Sequence, residues 1–131
     1  VQGLRFDVLA ATVGLAPGLI SVALLTVNNL RDIAQDRSAG KKTLVVRFGE
    51  TYARVQFQTS LALAILLPTI ALVFISDRIW GWLYMLLLVP AFPLMRKVAA
   101  GMAGVRLNDI LASTGKLLVL SSLVFAFLCF L

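Results

Sequence analysis

Long, uncharged apolar runs make up most of the chain and predict helices that cross a membrane. Four such runs have 20, 21, 17 and 15 residues, and they are Val8–Val27, Val55–Ile75, Ile79–Met95 and Leu117–Leu131. An α-helix rises about 1.5 Å per residue, so about 20 apolar residues span the hydrocarbon core of a bilayer. The first two runs meet this length without help from their neighbours.

The third and fourth runs are shorter, and flanking residues decide how they are interpreted. Trp80, Trp82 and Tyr84 lie at one end of the third run, as is typical of the aromatic belt at a membrane interface. The fourth run is long enough if its helix begins near Asn108, an acceptable N-cap, with Lys116 reaching towards water. The pattern therefore predicts an all-α, multi-span transmembrane helical bundle, with four helices in a single domain over residues 1–131.

Prolines and glycines add detail to this prediction. Pro90 and Pro93 fall in the third run, which makes that span the one most prone to break. Gly14 and Gly18, with Ser21, place small residues on one face of the first helix, which suits close packing against another helix.

Basic residues are distributed very unevenly between the two sides of the predicted bundle. Ten of the twelve lie in the two longer loops, and these ten are Arg31, Arg37, Lys41, Lys42, Arg47, Arg54, Arg96, Lys97, Arg106 and Lys116. Loops rich in lysine and arginine stay in the cytoplasm. We therefore expect residues 28–54 and 96–116 on the cytoplasmic side and both chain ends outside, so the net charge of +6 reflects orientation rather than nucleic-acid binding.

Composition removes several kinds of chemistry. The chain is 60% hydrophobic and 14% charged, has no histidine, and has one cysteine, Cys129. Without histidine there can be no imidazole metal site and no Ser/His or Cys/His nucleophile pair. A bound metal would need oxygen ligands, which favours a hard cation such as Mg²⁺.

The most polar stretch, VNNLRDIAQDRSAGKKT at residues 27–43, follows directly on the first apolar run. Helical spacing places Asn28, Asp32 and Asp36 on one face, and Gly40 is a plausible end of the helix. Two carboxylates four residues apart can reach one divalent cation, although a solvated helix end would look the same. The stretch also contains the positive charge that a diphosphate requires, at Arg31, Lys41 and Lys42, and amides at Asn28 and Asn29. Beyond it, Leu44–Phe48 could pack over the helix ends, with a further helix starting near Thr51.

The run NNLRDIAQDRSAGKKTLVVRFGE resembles the second aspartate-rich motif of the UbiA superfamily of intramembrane prenyltransferases. Its paired asparagines and its Gly-Lys-x-Thr-Leu ending resemble the menaquinone branch, which prenylates 1,4-dihydroxy-2-naphthoate. The run WGWLYMLLLVP matches more loosely. The resemblance implies the C-terminal part of a nine-helix fold in the bacterial cytoplasmic (inner) membrane, with its site loop facing the cytoplasm.

The resemblance also implies roles for individual residues. Asp32 and Asp36 match the catalytic aspartates that hold Mg²⁺ on the prenyl diphosphate, and the substrate-binding positions are matched by Asn28, Asn29, Arg31 and Lys41. The implied reaction transfers a polyprenyl group from its diphosphate to the naphthoate ring in menaquinone biosynthesis. No counterpart of the family's first aspartate-rich motif occurs in this sequence, so half of the implied metal site is missing.

Two alternatives remain open from the sequence. The acceptor could be that of another aromatic prenyltransferase, of the phytyl or homogentisate type, or the chain could be a non-enzymatic membrane subunit. A transporter is disfavoured, because no ionisable residue lies within the apolar runs. The chain opens Val1-Gln2-Gly3 without methionine, so we expect a fragment that lacks its N-terminal helices and is inactive alone.

Overall fold

Helices joined by short turns form the whole of the chain that the structure describes. The computed structural model describes the backbone of residues 2–75 and 77–130, and the side chains of residues 11, 14–75 and 77–130. The α-helices are α1 (Gln2–Arg31), α2 (Ile33–Ser38), α3 (Leu44–Ile70), α4 (Leu88–Ala99) and α5 (Leu107–Phe130). Shorter segments connect them, and these are a π-helical turn at Ala71–Ile75 and 3₁₀ helices at Ile79–Leu87 and Gly104–Arg106. The predicted all-α class is confirmed.

Three helical segments among the described residues are long and apolar enough to cross a membrane. They are Leu44–Ile75, Ile79–Ala99 and Gly104–Phe130. They correspond to the second, third and fourth predicted spans, so the chain is an integral membrane protein. Helix α1 is 30 residues long, but most of its N-terminal side chains lie outside the described residues, and the first span stays a prediction.

The core lies where α1 packs against α3 and α5. Ile20, Ala23 and Val27 of α1 are buried, as are Phe57 and Leu61 of α3. Large apolar side chains also cover the outside of the bundle, among them Leu25, Val55, Val89, Phe92, Leu123 and Phe127. Such an outer surface is stable in hydrocarbon but not in water, which agrees with a bundle embedded in lipid.

The third span changes its helical type partway along. It begins as the 3₁₀ helix Ile79–Leu87 and continues from Leu88 as α4, so Pro90 lies in the first turn of an α-helix. A proline is tolerated there because the N–H groups of the first turn have no intrahelical partner. The helical type therefore changes close to Pro90, but Ile79–Ala99 remains one continuous helical segment, and a break at the prolines is not seen.

The last helix begins in a different way from the prediction. A 3₁₀ turn at Gly104–Arg106 leads into α5, which starts at Leu107, so Asn108 is a helical residue of the first turn. The interpretation of Asn108 as an N-cap is wrong, although the start of the helix was placed within one residue. The side chain of Asn108 instead accepts a hydrogen bond from α1.

Candidate functional site

The polar stretch forms a corner at the end of α1, between α1 and α2. Asp32 lies between the two helices with φ −97° and ψ 9°. The helical pattern of bonds nevertheless continues, because the N–H of Asp32 donates to the carbonyl of Asn28 at 3.2 Å and the N–H of Asp36 to that of Asp32 at 2.8 Å. The corner therefore keeps Asn28, Asp32 and Asp36 one helical turn apart, as their spacing predicts.

Gly40 ends α2 and turns the chain back towards it. Its φ of 71° is in the left-handed region, which glycine adopts without steric cost. The N–H of Gly40 donates to the carbonyl of Arg37 at 3.2 Å, and that of Lys41 to the carbonyl of Asp36 at 2.9 Å. These two bonds make a Schellman motif, so the predicted helix end at Gly40 is confirmed. The reversal brings Lys41 beside Asp36.

A short connection then leads into α3. The hydroxyl of Thr43 accepts from the N–H of Val46 at 3.2 Å and caps the helix. Gly49, with φ 88° and ψ 177°, breaks the helix after Leu44–Phe48, and the long regular helix follows it, close to the predicted start at Thr51. Within Leu44–Phe48, Val45 is buried while Leu44 and Phe48 are exposed, so the expectation that this stretch packs inward holds only in part.

Asp36 and Lys41 form the first of two ion pairs at the corner. The ammonium Nζ of Lys41 donates to Oδ1 of Asp36 at 2.9 Å. The side chain of Asp36 is only 7% exposed, whereas that of Lys41 is 64% exposed. The hydrogen bond to Asp36 raises the pKa of Lys41, so the amine stays charged well above neutral pH. The pair therefore combines a nearly covered carboxylate with a cation that faces the solvent.

Arg31 and Asp32 form the second pair, with a forked geometry. The Nε of Arg31 donates to Oδ1 of Asp32 and Nη2 donates to Oδ2, each at 2.8 Å. This hydrogen bonding is the main reason that the pKa of Asp32 is lowered, with further contributions from the charges of Arg31 and Lys41. Asp32 is therefore ionised at neutral pH, as a metal-binding carboxylate must be.

Arg31 also connects the corner to α5. Its Nη2 donates to Oδ1 of Asn28, and its Nη1 donates to Oδ1 of Asn108, both at 2.9 Å. The predicted residues Asn28, Arg31 and Asp32 thus form one cluster, and Asp36 with Lys41 forms its neighbour. The side chain of Asn29 is half-buried and takes part in none of the hydrogen bonds just described, so its role stays a prediction.

Three polar residues at this end of the bundle were missed by sequence reasoning. Asn108 had been interpreted only as a helix cap. Arg54 and Gln58 lie one turn apart on α3 and donate to carbonyls at and just beyond the C-terminal end of α4. Arg54 donates to Val98 at 2.6 Å and to Met102, which follows the helix, at 3.0 Å, and Gln58 donates to Met95 at 2.7 Å. A signal for these two was present, since polar residues four apart at the start of an apolar helix share one face.

The chemistry of the donor set fits a partly hydrated Mg²⁺. Asp32 and Asp36 offer carboxylate oxygens, which hard cations prefer, and Mg²⁺ commonly binds through one or two carboxylates together with water and substrate phosphates. Within the described part of the chain, no group of three or more acidic, histidine or cysteine side chains comes together. Two carboxylates alone would leave most of the coordination shell to water, to phosphate oxygens or to other segments of the protein.

A largely apolar cavity of about 340 Å³ lies deeper in the bundle. Its lining includes Pro17 of α1, Tyr84 of the 3₁₀ helix, and Ser121 and Phe125 of α5. Pro17 is 15 residues from Asp32, which corresponds to about 22 Å along the helix. The hydroxyl of Tyr84 is buried without a hydrogen-bond partner among the described residues. The cavity is therefore separate from the polar corner and much less polar than it.

Comparison with known proteins gives consistent matches. The model of the UbiA prenyltransferase family matches residues 1–101. A 1,4-dihydroxy-2-naphthoate octaprenyltransferase of Escherichia coli (strain K12) is 38% identical over a region that covers 88% of this chain and 38% of that protein. A protein of the same name from Mycobacterium leprae (strain TN) is 31% identical, covering 95% of this chain and 42% of its own length. The chain thus spans about two fifths of these relatives. No solved structure matches it significantly.

Proposed function

Because the chain belongs to the UbiA prenyltransferase family, we propose that it is part of an enzyme that transfers a polyprenyl group to 1,4-dihydroxy-2-naphthoate. The aromatic acceptor is suggested by the names of the relatives, which are 31% and 38% identical to nearly the whole chain. Since the chain spans about two fifths of those relatives, it would act together with the segments that they have beyond the matched region. These would provide the remaining helices of the bundle and the first aspartate-rich motif.

The observation that carries this proposal is the pair of carboxylates at the corner of α1 and α2. Asp32 and Asp36 are held one helical turn apart, and each lies 2.8 to 2.9 Å from a cationic nitrogen. We assign them as the residues that hold Mg²⁺ together with the prenyl diphosphate. Bound there, Mg²⁺ would neutralise the charge that develops on the diphosphate as it leaves.

Other residues of the chain would bind the substrates and exclude water. The exposed ammonium of Lys41 lies at the mouth of the site, where it can contact a phosphate oxygen, and Asn28 and Asn29 offer amide groups to a polar substrate. The loss of diphosphate leaves an allylic carbocation, which water would trap. The apolar bundle keeps water away from it, and the cavity beside Tyr84 is suited to the hydrocarbon tail.

The site would open to the cytoplasm. The polar ends of both substrates would reach it from that side. The ten basic residues in the two longer loops support this orientation, because lysine and arginine are retained on the cytoplasmic side. The corner and the C-terminal end of α4, where Arg54 binds, would then lie at the same membrane interface.

The test uses the full-length enzyme with Asp32→Asn, Asp36→Asn and, as the matched control, Asp109→Asn. Asp109 is an exposed aspartate in the first turn of α5. Each asparagine keeps the size of the side chain and removes its charge. We expect the first two variants to lose about 10²-fold in kcat, equivalent to about 3 kcal/mol of transition-state stabilisation, and the control to lose less than about twofold.

The assay follows transfer of radiolabelled prenyl diphosphate to 1,4-dihydroxy-2-naphthoate, with homogentisate as the competing acceptor. A partial recovery of the transfer rate of Asp32→Asn at high Mg²⁺ would support a metal-binding role for Asp32. Wild-type rates in both aspartate variants would contradict the proposed site, and preference for homogentisate would contradict the proposed acceptor.

A further inference from the structure

Asn108 on α5 contacts the residue that holds Asp32 in place. From this contact, and resting on the proposed function, we infer that Arg31 and Asn108 are positioning residues: Asn108 holds Arg31, Arg31 orients Asp32, and Lys41 supplies the cation that contacts the diphosphate. This differs from the role that the family resemblance implied for Arg31, which was to bind substrate.

The hydrogen bonds of Arg31 are the basis for this assignment. A guanidinium has five N–H groups. In this structure Nε uses its one on Asp32, Nη2 uses two on Asp32 and Asn28, and Nη1 uses one on Asn108. One N–H therefore remains. Because an arginine grips a phosphate through two parallel N–H groups, Arg31 could do so only by releasing a protein partner.

The side chain of Asn108 is exposed, but the packing of α5 fixes its backbone position. Its neighbours Leu107 and Ile110 are 0% and 1% exposed, so the first turn of α5 is anchored in the core. Asn108 and Arg31 are 77 residues apart in the chain, and their bond joins α5 to the end of α1. Any movement of α5 at this end would therefore reach Asp32 through Arg31.

Lys41 has the solvent exposure and the free N–H donors that Arg31 lacks. Its side chain is 64% exposed, against 27% for that of Arg31. Its ammonium has three N–H donors, of which the bond to Asp36 uses one. Since the stem of lysine is flexible, the amine can contact a phosphate oxygen without breaking the pairing of Asp32.

The two roles predict different kinetic effects in the full-length enzyme. Arg31→Lys keeps the charge but cannot form the fork, so kcat should fall at least tenfold while KM for the prenyl diphosphate changes less than threefold. Asn108→Ala should lower kcat about fivefold, since it removes one charge-assisted hydrogen bond. Asn108→Asp keeps the acceptor oxygen for Arg31 and should retain most of the activity. Lys41→Gln should mainly raise KM for the prenyl diphosphate.

A double-mutant cycle separates positioning from a general loss of stability. If Asn108 acts through Arg31, Asn108→Ala should cost less than about twofold in an Arg31→Lys background, because the contact is already lost. An undiminished fivefold effect in that background would overturn the inference. So would an Arg31→Lys enzyme with wild-type kcat, or one whose KM for the prenyl diphosphate rises more than that of Lys41→Gln.

A binding measurement tests the same roles without turnover. Calorimetry with a non-reactive prenyl thiodiphosphate in EDTA should show weaker binding for Lys41→Gln and nearly unchanged binding for Arg31→Lys. With Mn²⁺ as a spectroscopic substitute for Mg²⁺, both Arg31→Lys and Asn108→Ala should reduce metal affinity. The opposite ranking in EDTA would overturn the inference. If the wild type binds the analogue but does not prenylate the naphthoate, the acceptor proposal fails. The binding data still test the roles of Arg31, Asn108 and Lys41, because they do not depend on the acceptor.

Discussion

Replacing Gly81 by alanine should destabilise the bundle, although the same change stabilises most helices. Gly81 lies in the 3₁₀ helix Ile79–Leu87, which faces the π-helical turn Ala71–Ile75. A Cβ added to Gly81 would lie 2.6 Å from Cβ of Leu72, 3.0 Å from Cγ2 of Val73 and 3.2 Å from the backbone nitrogen of Val73. The nearest of these atoms is attached directly to the backbone, so rotation of a side chain cannot relieve the clash.

The size of the effect follows from two opposing contributions. Helix propensity alone favours alanine over glycine by about 1 kcal/mol. Overpacking of a filled core typically costs about 1–3 kcal/mol, and here the two backbone segments must move apart. The difference is a loss of about 0–2 kcal/mol in the free energy of unfolding, and we expect the upper end of this range for Gly81→Ala because the 2.6 Å approach involves an atom attached to the backbone.

Gly115 of α5 provides the matched control. A Cβ there would meet only Cδ1 of Leu24, at 3.8 Å, which is an ordinary van der Waals contact. Gly115→Ala should therefore be neutral or stabilising by up to about 1 kcal/mol.

The assay is thermal unfolding of the full-length protein in one detergent, followed by circular dichroism and by loss of monodisperse protein. We expect Gly81→Ala to melt several degrees below the wild type and Gly115→Ala to melt at or above it. If Gly81→Ala melts at or above the wild type, the close approach of Gly81 to Leu72 is not present in the protein. If both variants are destabilised equally, the effect is not due to overpacking.

Three further predictions concern other parts of the chain. Arg54→Leu should destabilise the protein by about 2–3 kcal/mol, because it leaves the carbonyl of Val98 without its charged donor, and it should raise hydrogen exchange at residues 98–102. The control Glu50→Gln should change stability by less than about 0.5 kcal/mol, because it alters only an exposed ion pair. A cysteine introduced at Ser38, in a background without the native cysteine, should react with a membrane-impermeant maleimide only when the cytoplasmic side is accessible; labelling of intact cells from outside would reverse the proposed orientation. The isolated 131-residue chain should show no prenyl transfer when it is purified without any full-length enzyme, because the sequence has one aspartate-rich motif. Measurable turnover would refute the need for a second motif.

Local pattern was enough to predict much of this fold. The apolar runs predicted the second, third and fourth spans, because their length is a property of consecutive residues. Gly40 was predicted as a helix end, since the left-handed conformation that closes α2 favours glycine. Asp32 and Asp36 lie one helical turn apart, as their spacing predicted. This holds although Asp32 lies at a bend, because the hydrogen bonds between successive turns continue through it.

Contacts between distant segments could not be predicted in the same way. The bond from Arg31 to Asn108 depends on which helix packs beside α1, and no local pattern contains that information. The bonds of Arg54 and Gln58 to the end of α4 depend in the same way on the pairing of α3 with α4. The sequence showed these residues only as charges or caps, and their roles became clear once the helices were placed together.

The sequence separations of these polar contacts indicate an order of assembly during synthesis. Gln58 and Arg54 bind carbonyls 37 and 44 residues further along the chain, whereas Arg31 binds a side chain 77 residues away. The contacts of α3 with α4 can therefore form as soon as those two segments have left the ribosome and entered the bilayer, and they need a smaller loop to close. Only when α5 has been delivered can Asn108 reach Arg31. The corner that holds the two aspartates would then be completed after the contacts of α3 with α4, so a nascent chain would not organise this part of the site before α5 is in place.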